Sequence, residues 1–262
     1  MLVRKFTMQA KLPQFLKPTS TGSFVRLGKK NDGGYIIDKN AMHNADYLVS
    51  LGISNDWSFE KDFFSATKRS VIAFDGSVSF FVFTKKVAAT LLRVDKPYLV
   101  FQWIYLCFDY LYFFTGRKNH IKKFIGPKEF TDHLCLSDAI ENHAPAHAQK
   151  ILLKVDIEGG EYRILEKILL LQDRICYLAI EFHDCDLHTG KIKNFIEQFS
   201  LSVCHVHCNN WGEITASGMP QILELCFNIQ INNMPPRVQL PMELDQPNNP
   251  KSPDISIQFR DE

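Results

Sequence analysis

The segment ILLKVDIEGGEYRIL, residues 151–165, concentrates the side chains best suited to chemistry. An apolar run leads straight into Asp156, Glu158 and Glu161, with Gly159 and Gly160 between them. If the strand continues, Asp156 and Glu158 share one face. A helix N-terminus favours acids, which accounts for Glu161 but less easily for Asp156. Two further i/i+2 pairs, Glu181 with His183 and His205 with His207, close later apolar runs. Each pair points to one face of a regular strand. Donors converging from Asp156, Glu181, His183 and His207 would suit a divalent metal that lowers the pKa of a bound hydroxyl. A metal-free site with His183 as general base, or histidines simply satisfied in a core, are the alternatives left open by the spacing.

A second group lies earlier. The run YLVSL (47–51) ends at Gly52, followed by Asn55, Asp56 and Ser58. Glycine permits a tight turn and a close approach, and the polar residues can cap a following helix. The next run, VIAF (71–74), ends at Asp75, 23 residues after Gly52. An acid in that place can accept hydrogen bonds from both hydroxyls of a nucleoside ribose. The turn holds one glycine only, so it is not the GxGxxG fingerprint of nicotinamide enzymes.

Strands and helices must position these groups. Strands are predicted at 47–51, 71–74, 121–125, 151–155, 176–182, 202–207 and 222–229, with helices at 58–67, 161–171 and 189–199. Alternation of that kind predicts an α/β doubly wound sheet of about seven strands, mostly parallel, which gathers ligands beyond the carboxyl ends of its strands. Residues 1–44 read as an N-terminal cap, 45–231 as the main domain, and 232–262, rich in Pro and Asn, as an extended or disordered tail.

The chain has 262 residues, with 30 Lys+Arg against 29 Asp+Glu. A balance so near neutral gives no reason to expect a nucleic-acid partner. The first residues carry positive charge but no continuous apolar run, and the seven cysteines form no CxxC pair. Both suit reduced thiols and a cytoplasmic location. Residues 97–115, PYLVFQWIYLCFDYLYFFT, have the length of a membrane span, but Gln102 and Asp109 interrupt them. A central Asp is costly in lipid, so a helix buried by the domain or by a second copy is expected, with a peripheral membrane contact as the alternative.

KVDIEGGEYRIL resembles the K-[IV]-D-[IV]-E-G-x-E-x-x-[IVL]-L signature of the FkbM-type methyltransferases. RLGKKNDGGYIID (26–38), SLGISNDWSFEKDF (50–63), FD (74–75), IEFH (180–183), HVHCNN (205–210) and LEL (223–225) are similar to that family in the same order. The pattern departs at Ser54, where a second glycine is usual. The resemblance implies a class I fold and S-adenosylmethionine as cofactor. It implies methylation of a hydroxyl on a sugar, glycan or related small molecule. By position, Gly52, Asn55 and Asp56 would lie along the methionine end and Asp75 would take the ribose. Asp156, Glu158 and Glu161 would shape the reaction centre, and Asp32, Gly33, Gly34 and Tyr35 would form a lid. A non-catalytic nucleoside-binding scaffold of the same fold is the runner-up.

Overall fold

The computed structural model describes residues 8–91, 97–128, 131–145, 148–229 and 240–260. The chain opens with β1 (Gln9–Leu12) and a hairpin of β2 (Phe24–Leu27) and β3 (Tyr35–Asp38), then α1 (Lys39–Asn44). Next come β4 (Tyr47–Leu51), α2 (Ser58–Thr67), β5 (Ser70–Phe74), α3 (Phe80–Leu91), α4 (Tyr98–Phe113) and β6 (Lys118–Ile121). Two short strands, β7 (Phe124–Ile125) and β8 (His133–Leu134), precede α5 (Leu136–His143). The second half runs through β9 (Ile151–Val155), α6 (Leu165–Leu170), β10 (Ile175–Phe182), α7 (Cys185–Gln198), β11 (Ser202–Cys208), β12 (Leu223–Asn228) and β13 (Ser256–Phe259).

Seven strands form one sheet in the order β11-β12-β10-β9-β4-β5-β6. All run parallel except β12, which lies antiparallel between β10 and β11. This is the doubly wound architecture expected from the alternation of runs. The five residues of β4 and the five of β9 are all buried, as strands covered by helices on both faces must be. Tyr47, Val49 and Leu51 join one core with α5, α6 and α7. Leu48 points the other way, into a second core with Phe59 and Phe63 of α2 and with the hairpin. The strand order reverses between β4 and β9, so their carboxyl ends open the crevice in which such sheets bind ligands.

Three expectations change. The strand read at 121–125 divides into β6 and β7, and the helix read at 161–171 begins as a 3-10 turn, Glu161–Arg163, before α6. The tail is ordered over 240–260: β13 pairs in parallel with β1, and buried Ile255 joins the main core. Pro and Asn there serve turns and polar anchors rather than disorder. Residues 232–239 of that tail lie outside the described residues.

The aromatic segment forms α4. Its inner face packs on α3 and on Trp57, which stacks edge-on with Tyr110. Asp109 pairs with Lys61 at 2.5 Å, which explains how an acid sits in the run. Among the described residues no helix is long and apolar enough to cross a membrane.

Candidate active site at the carboxyl edge of the sheet

Beyond the ends of β4, β5 and β9 lies a cavity of about 560 Å³, within the usual size of a small-molecule site. Gly52, Asn55, Asp56, Asp75, Asp156, Glu158, Asp32 and Gly33 all line it. Lys154, Arg163 and Glu181 join them.

Gly52 has φ +80°, and a Cβ there would overlap the carbonyl oxygen of Asp156. The glycine thus serves the close approach of two strand ends, and not only the approach of a ligand. Asp75 is held differently from a free acid. Its Oδ2 accepts from the amides of Ile53 (3.0 Å) and Ser54 (2.8 Å), and its Oδ1 from the amide and hydroxyl of Ser77. Burial acts to raise its pKa, but these bonds outweigh it and hold the carboxyl below its ordinary value. Asp75 therefore ties the loop after β4 to the loop after β5.

The N-terminal hairpin leans over the cavity. The loop between β2 and β3 is pinned to α2 by the amide of Lys29 on Ser58 Oγ (2.8 Å) and by Lys29 Nζ on Asp56 (3.1 Å). Tyr35, buried, donates its hydroxyl to Asp156 Oδ2 at 2.9 Å. Asp32 and Gly33 face the cavity, while Gly34 lies behind them against Arg26. Burial pushes the Asp32 carboxyl up.

Behind the cavity, three carboxylates close on one imidazole. His183 Nδ1 lies 3.2 Å from Glu161, and its Nε2 lies 3.4 Å from Glu158 and 3.3 Å from Glu181. Burial opposes a charged ring, but the bonds and charges of Glu161 and Glu181 prevail, pushing His183 up to about 11. Burial also pushes Glu181 up, to about 8. These partners favour the charged form of the His183 ring. A ring held in that form has no free lone pair with which to act as the expected general base, and Glu181 beside it is the alternative.

The convergence does not arise as strand alternation suggests. β9 ends at Val155, and Glu158 sits in a turn with φ +53°. Asp156, Glu158 and His183 nonetheless present donor atoms within 4.8 Å of one another. Glu181 touches this group through His183, but His207 does not. Its Nδ1 faces Glu224 (3.3 Å) and its Nε2 faces Asp254 (3.0 Å), while His205 meets Asp245 at 2.9 Å. The carboxylates of the ordered tail, Asp245 and Asp254, claim both rings, which corrects His207 as a metal ligand alongside the others.

Several working residues escaped the sequence reading. Lys154, almost fully buried, donates to the Gly52 carbonyl at 2.8 Å. A lysine inside an otherwise apolar strand was the available signal. Asn209 donates to Glu181 at 3.3 Å, and Asn248 donates to Glu224 at 2.7 Å and to Asp32 at 3.5 Å. Nothing in the sequence joins Asn248 to Asp32, 216 positions away.

No family model matches the chain, and no curated protein matches it. Among solved structures it is similar to the METTL16 MTase domain, at 12% identity and TM-score 0.38, over 71% of this chain and 61% of that one, so it spans less than two thirds of that domain. It is similar to precorrin-6y C5,15-methyltransferase from Geobacter metallireducens GS-15, at 10% identity and TM-score 0.39, over 71% of this chain and 81% of that one. A third is an O-methyltransferase (NcsB1) from neocarzinostatin biosynthesis, solved with S-adenosylmethionine and 2-hydroxy-5-methyl naphthoic acid. It matches at 9% identity and TM-score 0.29, over 73% of this chain and 52% of that one.

Proposed function

We propose that the chain is an S-adenosylmethionine-dependent O-methyltransferase of the FkbM type, acting on a hydroxyl of a sugar, glycan or related small molecule. The observation that carries this reading is the sign of the cavity. Asp32, Asp56, Asp75, Asp156 and Glu158 line it, against Lys29, Lys154 and Arg163, and Glu181 adds its charge only as pH rises through about 8. An acidic crevice at the switch point attracts a ligand bearing sulfonium and ammonium charges, and disfavours the pyrophosphate of a nicotinamide dinucleotide. The ordered motifs around Gly52, Asp75 and Asp156 support the same reading.

Bound S-adenosylmethionine supplies an electrophilic methyl group, so the chain has to align a hydroxyl and remove its proton. Asp75 would receive a ribose hydroxyl in place of the Ser77 hydroxyl, the one bond of its four that a rotatable side chain provides. Glu181 is the base in this reading. It lines the cavity, and a pKa near 8 suits proton removal near neutral pH. His183, held by Glu158 and Glu161, keeps a fixed positive charge beside it. Tyr35 orients Asp156 toward the acceptor.

A divalent cation is a second reading, favoured by the donor set of Asp156, Glu158 and His183. Two oxygens and an imidazole suit such an ion, which would lower the pKa of an acceptor hydroxyl. It would first have to displace the His183 proton, so its affinity would fall with pH. Incubation of a saccharide-rich extract with methyl-labelled cofactor tests the main reading. Wild type should label a product at oxygen and Asp156→Ala should not. Labelling of carbon or nitrogen alone would overturn the hydroxyl acceptor.

A further inference from the structure

The outer face of α4 has no part in the site described above. Phe101, Tyr105, Phe108 and Tyr112 are spaced by four, three and four residues, so they line one side of the helix, and each is well exposed. Tyr98 extends the stripe by one turn. The opposite side, with Leu106, Cys107 and Phe113, is buried. Five exposed aromatic rings in one row form an apolar patch of a kind that monomeric soluble proteins rarely leave open.

Charge indicates what covers it. Residues 80–123 hold eight Lys or Arg and two Asp, a net +6 within a chain whose total is +1. Among the described residues of that stretch the one acid, Asp109, is neutralised by Lys61. Lys86 lies 4.3 Å from the Trp103 ring, and Lys118 lies 5.2 Å from that of Phe113, both on α4. A second copy docked on this face would set like charge against like charge across a two-fold axis. At 16 residues, about 24 Å long, α4 is too short to span a bilayer and suits lying flat in its interface. A row of aromatic rings within a basic stretch of chain is the composition of an interfacial helix.

We infer that the outer face of α4 docks the enzyme on an anionic lipid surface, with Phe101, Tyr105, Phe108 and Tyr112 entering the headgroup region and the exposed Lys85 and Lys86 contacting lipid phosphates. Co-sedimentation with phosphatidylcholine vesicles, with and without phosphatidylglycerol, tests this. The full chain should pellet with the mixed vesicles and bind neutral ones at least tenfold more weakly. Phe108→Ser with Tyr112→Ser should lower binding by about tenfold or more while leaving the melting temperature unchanged. Lys85→Gln with Lys86→Gln should lower binding to mixed vesicles by about fivefold per charge removed. Wild type left in the supernatant with both vesicles, or equal binding by all variants, would overturn the inference. So would a dimer that Phe108→Ser with Tyr112→Ser converts to a monomer, without any vesicle binding.

Discussion

The carbonyl oxygen of Asp156 fills the space where a side chain on Gly52 would begin. The two strand ends that frame the cavity are thus in backbone contact, and Gly52 is also at φ +80°. Gly52→Ala should cost roughly 3 kcal/mol or more, combining a left-handed backbone with overpacking. A thermal midpoint unchanged from wild type would contradict that contact.

His183 offers a test by pH. Its folded pKa, about 11, is raised above the ordinary histidine value, so its contribution is fully present below about 6.5 and is lost as pH rises through 11. Its NMR titration should show a protonated ring throughout the neutral range. His183→Gln, which leaves three carboxylates around a vanished charge, should destabilise by about 3–5 kcal/mol. A ring that titrates near 6.5 would return it to the role of base.

Activity should follow a carboxyl group instead. If Glu181 removes the proton, the rate should climb with pH as that group ionises and level off above about 8. Glu181→Gln should abolish the pH dependence along with most of the rate, while calorimetry shows cofactor affinity retained. Loss of activity on chelation would favour the divalent-cation reading over this one.

The tail supplies a fourth test. The Asp245–His205 pair is almost fully buried, and Asp245 also accepts the amide of Met242. Burial acts against the Asp245 charge, but His205 holds the carboxyl below its ordinary pKa, so the stability it contributes is lost as pH falls through that lowered value. Asp245→Ala should cost about 3–5 kcal/mol, the penalty for breaking a buried pair. The effect should reach the loop between β2 and β3, because Asn31 donates to Gln246 and to the Pro247 carbonyl. Faster amide exchange around 29–34 in the variant would show the link, and unchanged exchange would deny it.

The sheet was readable because its buried strands are unbroken apolar runs between polar turns; β4, β9 and α2 match the sequence reading at both ends. The acids at strand ends were readable because each one breaks off an apolar run, although Asp75 also serves to tie two loops together. What escaped was long-range. His205 and His207 share a face as the alternation predicts, and their rings stack at 6.5 Å. Which acids they meet depends on a tail 40 or more residues away. Composition reads such a segment as disorder, because a few buried polar anchors, Asn210 on three tail carbonyls among them, leave little trace in the average. Glu158 meets His183 from a turn, in place of the extended strand that the spacing predicts.

Calorimetric titration with S-adenosylmethionine tests the central claim most directly. The folded chain should bind one equivalent, with Asp75→Asn weakening binding by about 1–3 kcal/mol, the cost of a lost charged hydrogen bond. Nicotinamide dinucleotides should give no heat. Binding of the dinucleotide in place of S-adenosylmethionine, or no heat from either with a folded chain, would contradict the account.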